Sequence, residues 1–418
     1  MRKRPHRPRP KEAVLEVETV GARGDGIAHL DGRPIYLPLT LAGERVRARV
    51  EGDRGEVLAF LAKAPRREPP CPHFGACGGC ALQHMPEADY AAFAADRIRE
   101  AMARKGFGDL PMAATALSPP GSRRRLTLAY ERRGGGLALG YHGRRSRRVT
   151  PIDSCLVALP ALEGLIGPFA ALLADIGASA GKLVLTASDT GVDALVTGLA
   201  DPPLETRERL TRFALDHDLA RLSIMEEEDP GAGTPETVVQ NRLPLLFMGG
   251  GSVPLAPAGF LQATGEGEAA LVTAVTDWTT GWRVADLFAG CGTFSLPLMA
   301  RHRVTAVEGD AALLASLAQA AGGRVETLER DLFLNPLTGA ELAFDTVIMD
   351  PPRAGAMAQA QALAASGVAT VIAISCNPAT FARDARILVD GGYALAAIRP
   401  VDQFLWSAHV ELAALFRR

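Results

Sequence analysis

Residues 13–62 alternate apolar and polar positions in short runs, VLEVETV, GIAHL, PIYLPLT, ERVRARV and EVLAFLAK, separated by Gly-Asp-Gly, Asp-Gly and Gly-Asp. A period of two between turn signals predicts half-buried strands, and so many short ones predict a small antiparallel barrel. Residues 87–105 change to a helical period and predict an amphipathic helix, followed by a β-rich region. Further on, the pattern predicts helices at Leu159–Ile176 and Leu204–His217 with strands LVLTAS and DALVTGL between them. From Glu266 a helix leads into regular βα alternation: RVADLFA, RVTAVEG, RVETLERD, FDTVIMD, TVIAISC, YALAAIRPV and VELAALF. That alternation predicts a doubly wound parallel sheet. Too little chain separates the last two strands for a parallel crossover, so the final strand is expected to be antiparallel.

The changes of period divide the chain into a flexible basic arm (1–11), a small N-terminal β-barrel (12–65), a central α+β unit (66–260) and a C-terminal doubly wound sheet (261–418). This is a multi-domain α/β protein. Composition adds two restrictions. With 45 Lys and Arg against 47 Asp and Glu, the net charge is near zero, so a nucleic-acid partner has to be argued locally. The local argument is residues 121–148, where Arg123, Arg124, Arg125, Arg132, Arg133, Arg144, Arg145, Arg147 and Arg148 face one acid, Glu131, an expected phosphate-binding surface. The most apolar stretch, Pro160–Gly181, is broken by Glu163 and Asp175, and the Arg- and Pro-rich start has no apolar segment behind it. A cytoplasmic protein without a membrane partner is expected, as a monomer.

Six cysteines in such a compartment point to a metal site plus a separate thiol rather than to disulfides. Cys71, Cys77 and Cys80, with glycines between the last two, can fold tightly around a soft centre that Cys155 completes from a distance. The spacing suits an iron-sulfur cluster or zinc equally, with His73 or His84 as spare imidazoles. In the sheet region, chemistry sits at strand ends, where open α/β sheets bind ligands. Asp350 and Cys376 end two apolar runs and aim a carboxylate and a thiol at one place. Gly290 and Gly292 follow the first strand, but Ser295 stands where a dinucleotide fingerprint needs a third glycine, which favours a ligand without pyrophosphate. Glu308 is placed for ribose hydroxyls and Asp331 for an adenine amino group. Those three sites suit S-adenosylmethionine. Cys291, inside the loop, reads as a packing residue.

The stretches DLFAGCGTFSLPL, VEGD, MDPPRAG, SCNPATFARD and HVE resemble the RNA 5-methyluridine (uracil-5) methyltransferase family. CPHFGACGGCALQH with Cys155 resembles that family's 4Fe-4S site, and residues 13–62 resemble its TRAM domain, an RNA-binding barrel. Together they are similar to the 23S rRNA branch more than to the tRNA branch. The resemblance implies methyl-donor contacts from Gln262, Phe288, Glu308, Asp331 and Asp350, a nucleophile at Cys376, a general base at Glu411 and metal ligands at Cys71, Cys77, Cys80 and Cys155. Thr293 and Thr264 depart from the family's usual Asn. The implied reaction is covalent: the Cys376 thiolate adds to carbon 6 of uracil, carbon 5 takes the methyl group, and Glu411, with His409 as rival, removes the carbon 5 proton. The helix expected near Pro378 is positioned to lower the thiol pKa, and the base has to leave any stack to be reached. Uridine methylation of tRNA, or a metal-stapled RNA-binding protein with an inactive methyltransferase fold, are the competing readings.

Overall fold

The computed structural model describes residues 10–227 and 233–418; residues 1–9 of the expected basic arm lie outside them. Six strands, from Lys11–Glu16 to Arg54–Ala62, form one sheet in the order first, fifth, sixth, fourth, third, second. The alternation seen in the sequence is the reason it curls round a core. In Arg45–Glu51, Val46, Ala48 and Val50 point inward while Arg45, Arg47 and Arg49 stay in solvent. Leu15, Val17, Ala28, Ile35 and Leu37 complete that interior.

The central unit is a seven-stranded, mostly antiparallel sheet covered by the helices Ile166–Asp175 and Leu204–Asp216. The single helix expected at Leu159–Ile176 is two, Pro160–Glu163 and Ile166–Asp175, because the chain turns at Gly164 and Leu165.

The C-terminal sheet has eight strands in the order Val325–Glu329, Arg303–Glu308, Arg283–Leu287, Thr346–Met349, Thr370–Ser375, Glu411–Arg417, Ala394–Asp402 and Ala116–Leu117. The first five run parallel, and Glu411–Arg417 inserts antiparallel between Thr370–Ser375 and Ala394–Asp402. That insertion brings Glu411 beside the residue that follows Ser375. Alternate residues of each strand feed two cores, one on each face of the sheet, with Ala285 and Leu287 on one side and Val284 on the other. The helix Gly265–Trp278 covers one face through Leu271, Ala274 and Val275.

The helix Glu87–Ala103 falls inside the 66–260 interval of the sequence but packs on the C-terminal unit. Its buried stripe, Tyr90, Ala94, Ile98 and Met102, meets the helix Pro378–Asp390 and the strand Ala394–Asp402. A helix buries its apolar face where a complementary face is free, and short segments either side let it reach across. Chain order and packing therefore disagree for residues 87–117.

Candidate active site at the carboxyl ends of the C-terminal sheet

A cavity of about 710 Å³ opens where Arg283–Leu287, Arg303–Glu308, Thr346–Met349 and Thr370–Ser375 end. Its floor is the turn after Leu287. Phe288 adopts φ +61°, a left-handed conformation unusual for an aromatic residue, followed by Gly290 at +54° and Gly292 at +101°. A side chain at Gly292 would also meet Leu296 and Leu317 at 3.0 Å, so glycine is required twice over. Beneath the turn the fully buried Asp286 accepts a hydrogen bond from Ser295 Oγ at 2.6 Å. Burial pushes its carboxyl up to about 7.

Glu308 is fixed by three backbone donors: Gly290 N at 2.9 Å on one carboxylate oxygen, and Gly309 N at 2.7 Å and Asp310 N at 2.9 Å on the other. Asp331 accepts from Phe333 N at 2.9 Å and Leu334 N at 3.3 Å. That turn brings the Phe333 ring to 5.4 Å from Phe288. Two carboxylates and two aromatic faces thus surround one end of the cavity, suited to a purine nucleoside.

At the other end Asp350, Cys376, Gln262 and Glu411 line the same space. Burial, with Glu411 and then Asp286 nearby, raises the Asp350 carboxyl well above its ordinary value. Burial also pushes Glu411 up to about 7, against a hydrogen bond donated by Gln403. The Cys376 thiol departs from expectation. It precedes Asn377, which caps the helix Pro378–Asp390 by accepting from Ala379 N at 3.1 Å. Yet its pKa is raised, first by burial and then by the charges of Glu411 and Asp350, with Arg353 opposing. Two carboxylates beside a half-buried sulfur outweigh one helix end. His409, the rival base, has its imidazole held below the usual value by burial and by Arg353, Arg97 and Arg123.

Thr293 lines the cavity. Thr264 instead caps the helix Gly265–Trp278, accepting from Gly267 N at 3.1 Å, and meets Ser118 Oγ at 2.7 Å. Gln403 was invisible to sequence reasoning: an amide between Asp402 and Phe404 carries no periodic or spacing signal. Cys291 is buried in the core, in keeping with a packing role.

The four first-half cysteines line a second cavity of about 170 Å³ with Gly79, Tyr141, Phe404 and His409. The turn Cys77–Cys80 is tight: Gly78 N donates to His142 O at 3.1 Å, and a Cβ there would come within 2.6 Å of that oxygen. Burial pushes the Cys80 thiol up to about 12, with Cys155, Cys77 and Cys71 adding to the shift. Among the described residues no three His, Cys, Asp or Glu side chains form a group that could hold one metal ion. The spare imidazoles are otherwise engaged or absent: His73 Nε2 lies 2.8 Å from Asp153, and His84 is not among the lining residues.

The arginine stretch also departs from expectation. Arg144 and Arg145 bind the buried Asp25, the former at 2.5 Å, and so tie the N-terminal sheet to the central one. Arg124 holds Gln262 O at 2.9 Å and Glu268 at 2.6 Å, Arg125 holds Gly259 O at 2.9 Å, and Arg132 binds Ala174 O at 2.8 Å. Arg133 pairs with Glu131 at 3.2 Å. Arg147 and Arg148 stay exposed, with no ion pair to a described residue. Most of the cluster is internal fastening, and Arg124 and Arg125 position the segment that carries Gln262.

A family model described as tRNA (Uracil-5-)-methyltransferase matches residues 320–418. An uncharacterized RNA methyltransferase of Caulobacter vibrioides is 41% identical over 97% of this chain and 99% of its own. The 23S rRNA (uracil(1939)-C(5))-methyltransferase RlmD of Halomonas elongata is 34% identical over 95% of this chain and 88% of its own. A solved tRNA (uracil-54, C5)-methyltransferase of Pyrococcus abyssi, in complex with S-adenosyl-L-homocysteine, shares the fold with a TM-score of 0.74 at 20% identity, over 97% of this chain and all of the other. The chain belongs to the S-adenosylmethionine-dependent RNA (uracil-5-)-methyltransferase family.

Proposed function

We propose that the protein methylates carbon 5 of one uridine in RNA, in 23S rRNA before tRNA, through a covalent Cys376 adduct. The observation that carries this is the one cavity lined by Phe288, Glu308 and Asp331 at one end and by Gln262, Asp350, Cys376 and Glu411 at the other. S-adenosylmethionine supplies an electrophilic methyl group when bound. Glu308, already held rigidly by three backbone N–H groups, receives the ribose hydroxyls, and Asp331 and the Phe288 and Phe333 rings receive the adenine. Asp350 and Gln262 hold the amino-acid end.

Cys376 gives its proton to solvent and its sulfur bonds to carbon 6 of the uracil; the carbon 5–carbon 6 π pair shifts to carbon 5, which takes the methyl group as the donor's methyl–sulfur bond breaks, its pair staying on sulfur, and S-adenosylhomocysteine leaves. Glu411 then removes the proton on carbon 5, carbon 5 and carbon 6 regain their double bond, and the sulfur leaves. Its raised pKa of about 7 places it where a general base works best. Burial, and after it the charges of Glu411 and Asp350, raise the Cys376 thiol pKa, with Arg353 opposing; a cationic donor bound beside the two carboxylates would favour the thiolate.

The 23S assignment rests on the likeness to RlmD and on the two N-terminal features together. The sheet of residues 12–65 reads as a TRAM-like RNA-binding unit, 66–260 as the cysteine-bearing unit and 261–418 as the methyltransferase unit. Cys71, Cys77, Cys80 and Cys155 would hold a 4Fe-4S cluster, since all four thiols line one cavity. Its contribution is to brace the fold. The test is 5-fluorouridine-substituted 23S rRNA incubated with enzyme and S-adenosylmethionine. Fluorine cannot leave as the proton does, so an adduct resistant to denaturation accumulates. No adduct, or one that survives Cys376→Ala, refutes the mechanism.

A further inference from the structure

Gln403 follows the strand Ala394–Asp402 and is 1% exposed. Its Nε2 donates both hydrogens, one to Glu411 Oε2 and one to Gln262 Oε1 at 2.7 Å, while its Oε1 accepts from Thr264 N at 3.3 Å. Because the Thr264 N–H can only donate, it fixes which way the amide lies; the reversed amide would set a carbonyl against a carboxylate. The consequence passes to Gln262. With its own carbonyl turned to Gln403, Gln262 has its N–H2 left for the cavity it lines. The helix Gly265–Trp278 makes room for this arrangement at Gly267, where a Cβ would stand 2.2 Å from Gln403 Cγ.

We propose that Gln403 is a positioning residue that couples the base to a methyl-donor contact, holding the Glu411 carboxylate ready to take the carbon 5 proton and turning the Gln262 amide donor toward S-adenosylmethionine. This rests on the reading of Glu411 as the base and Gln262 as a donor contact. In the step concerned, the Glu411 oxygen bonds the proton, the carbon–hydrogen pair becomes the carbon 5–carbon 6 double bond, and the carbon 6–sulfur pair leaves on Cys376 as thiolate. The charged neighbours facing Glu411 work against its ionisation: Asp402 at the end of the strand Ala394–Asp402, Asp350 just after the strand Thr346–Met349, and Cys376, once ionised, just after the strand Thr370–Ser375. Arg330, Arg353 and His409 are the basic groups lining the same cavity. Gln403 is the group that donates a hydrogen bond to the Glu411 carboxylate.

Gln403→Met keeps the side-chain length and removes both donors. Full-length enzyme, S-adenosylmethionine and in vitro transcribed 23S rRNA tritiated at uridine carbon 5 provide the assay, read as tritium release from pH 5.5 to 9 together with denaturation-resistant adduct. The variant is expected to move the acid limb of kcat upward by about one pH unit, to stall as methylated adduct, and to bind S-adenosylmethionine about tenfold more weakly by calorimetry, each the size of one lost charge-assisted hydrogen bond. Gly267→Ala, whose Cβ would displace Gln403 and crowd the Thr264 cap outside the cavity, moves all three readouts the same way, whereas Thr264→Ala alone does not, and so covers the case in which Gln403→Met fails to fold. Glu411→Gln separates the two ideas. If it stalls as adduct while Gln403→Met and Gly267→Ala keep the wild-type acid limb and donor affinity, the positioning role is refuted and the base survives. If Glu411→Gln does not stall, the base assignment falls and this inference with it.

Discussion

Asp286 offers a quantitative test of the electrostatics beneath the methyl-donor loop. Its side chain is fully buried, one carboxylate oxygen accepts from Ser295 Oγ, and the other, Oδ1, has no partner among the described residues. Burial raises the group from 3.8 to about 7. Below pH 3.8 it is protonated folded and unfolded, and its full contribution is present. As pH rises to about 7, the folded state keeps a proton that the unfolded state has released, so stability falls by about 1.4 kcal/mol per pH unit. Across roughly three units the loss reaches about 4 kcal/mol, and above that pH it is constant. Asp286→Asn removes the titration, keeps an acceptor for Ser295, and leaves an amide N–H2 where Oδ1 was, at a cost of about 1–3 kcal/mol. The raised carboxyls Asp193, Asp402 and Glu411 owe nothing to Asp286 and titrate alike in both proteins, and Asp350, which a charged Asp286 pushes up after burial and Glu411, feels that charge only once Asp286 ionises near pH 7, so below pH 7 the difference isolates Asp286. Denaturant midpoints at half-unit pH intervals, read by the near-ultraviolet signal, should show wild type losing ground to Asp286→Asn from pH 4 to 7 and running parallel to it from pH 7.5 to 9. A difference that is flat across the lower window refutes the account.

Three further outcomes are expected. The rate of tritium release should rise with pH through about 7, because Glu411 acts only when ionised; a limb near pH 4.5 means the base is unburied or another group. Cys80→Ser should lower iron and inorganic sulfide content together and weaken 23S rRNA binding in a filter assay; loss of iron with folding and RNA affinity intact refutes a bracing role. Thr264→Ala should destabilise the C-terminal unit by about 1 kcal/mol, the value of a lost helix cap, with donor affinity within about twofold of wild type by calorimetry.

The βα alternation after Glu266 was legible because a parallel sheet imposes apolar runs of strand length on sequence, and its ligand end follows from topology alone. Glu308 ends its run, and Asp331, Asp350 and Cys376 stand within two residues beyond theirs. Glu411 was not: an antiparallel last strand enters the site by its amino end, and only the resemblance identified it. The arginines misled because charge density reads the same whether partners are phosphates or carbonyls. Asp25 lies about a hundred residues away in sequence, and Gly259 and Gln262 offer backbone oxygens, which no pattern of side chains reveals. The Cys376 pKa misled for a related reason. The helix end is local in sequence, whereas Glu411 and Asp350 come from other strands.

The segment between Gln403 and Glu411 connects the cysteine turn to the proposed active site. Phe404 and His409 line both cavities. Arg123 stacks over Phe404 at 5.3 Å, and Arg67 over Trp406 at 5.6 Å. Trp406 adopts φ +60°, and its carbonyl accepts from Ala81 N at 2.8 Å and Leu82 N at 3.0 Å, the two residues directly after Cys80. A bulky residue stays in that conformation only where its surroundings over-determine it. The cysteine turn supplies two of those constraints, so releasing it frees Trp406 and, on either side, Gln403 with the Phe404 wall and Glu411. Bracing the cysteines therefore braces Glu411, the proposed base, and the Phe404 wall, by hydrogen bonds and packing.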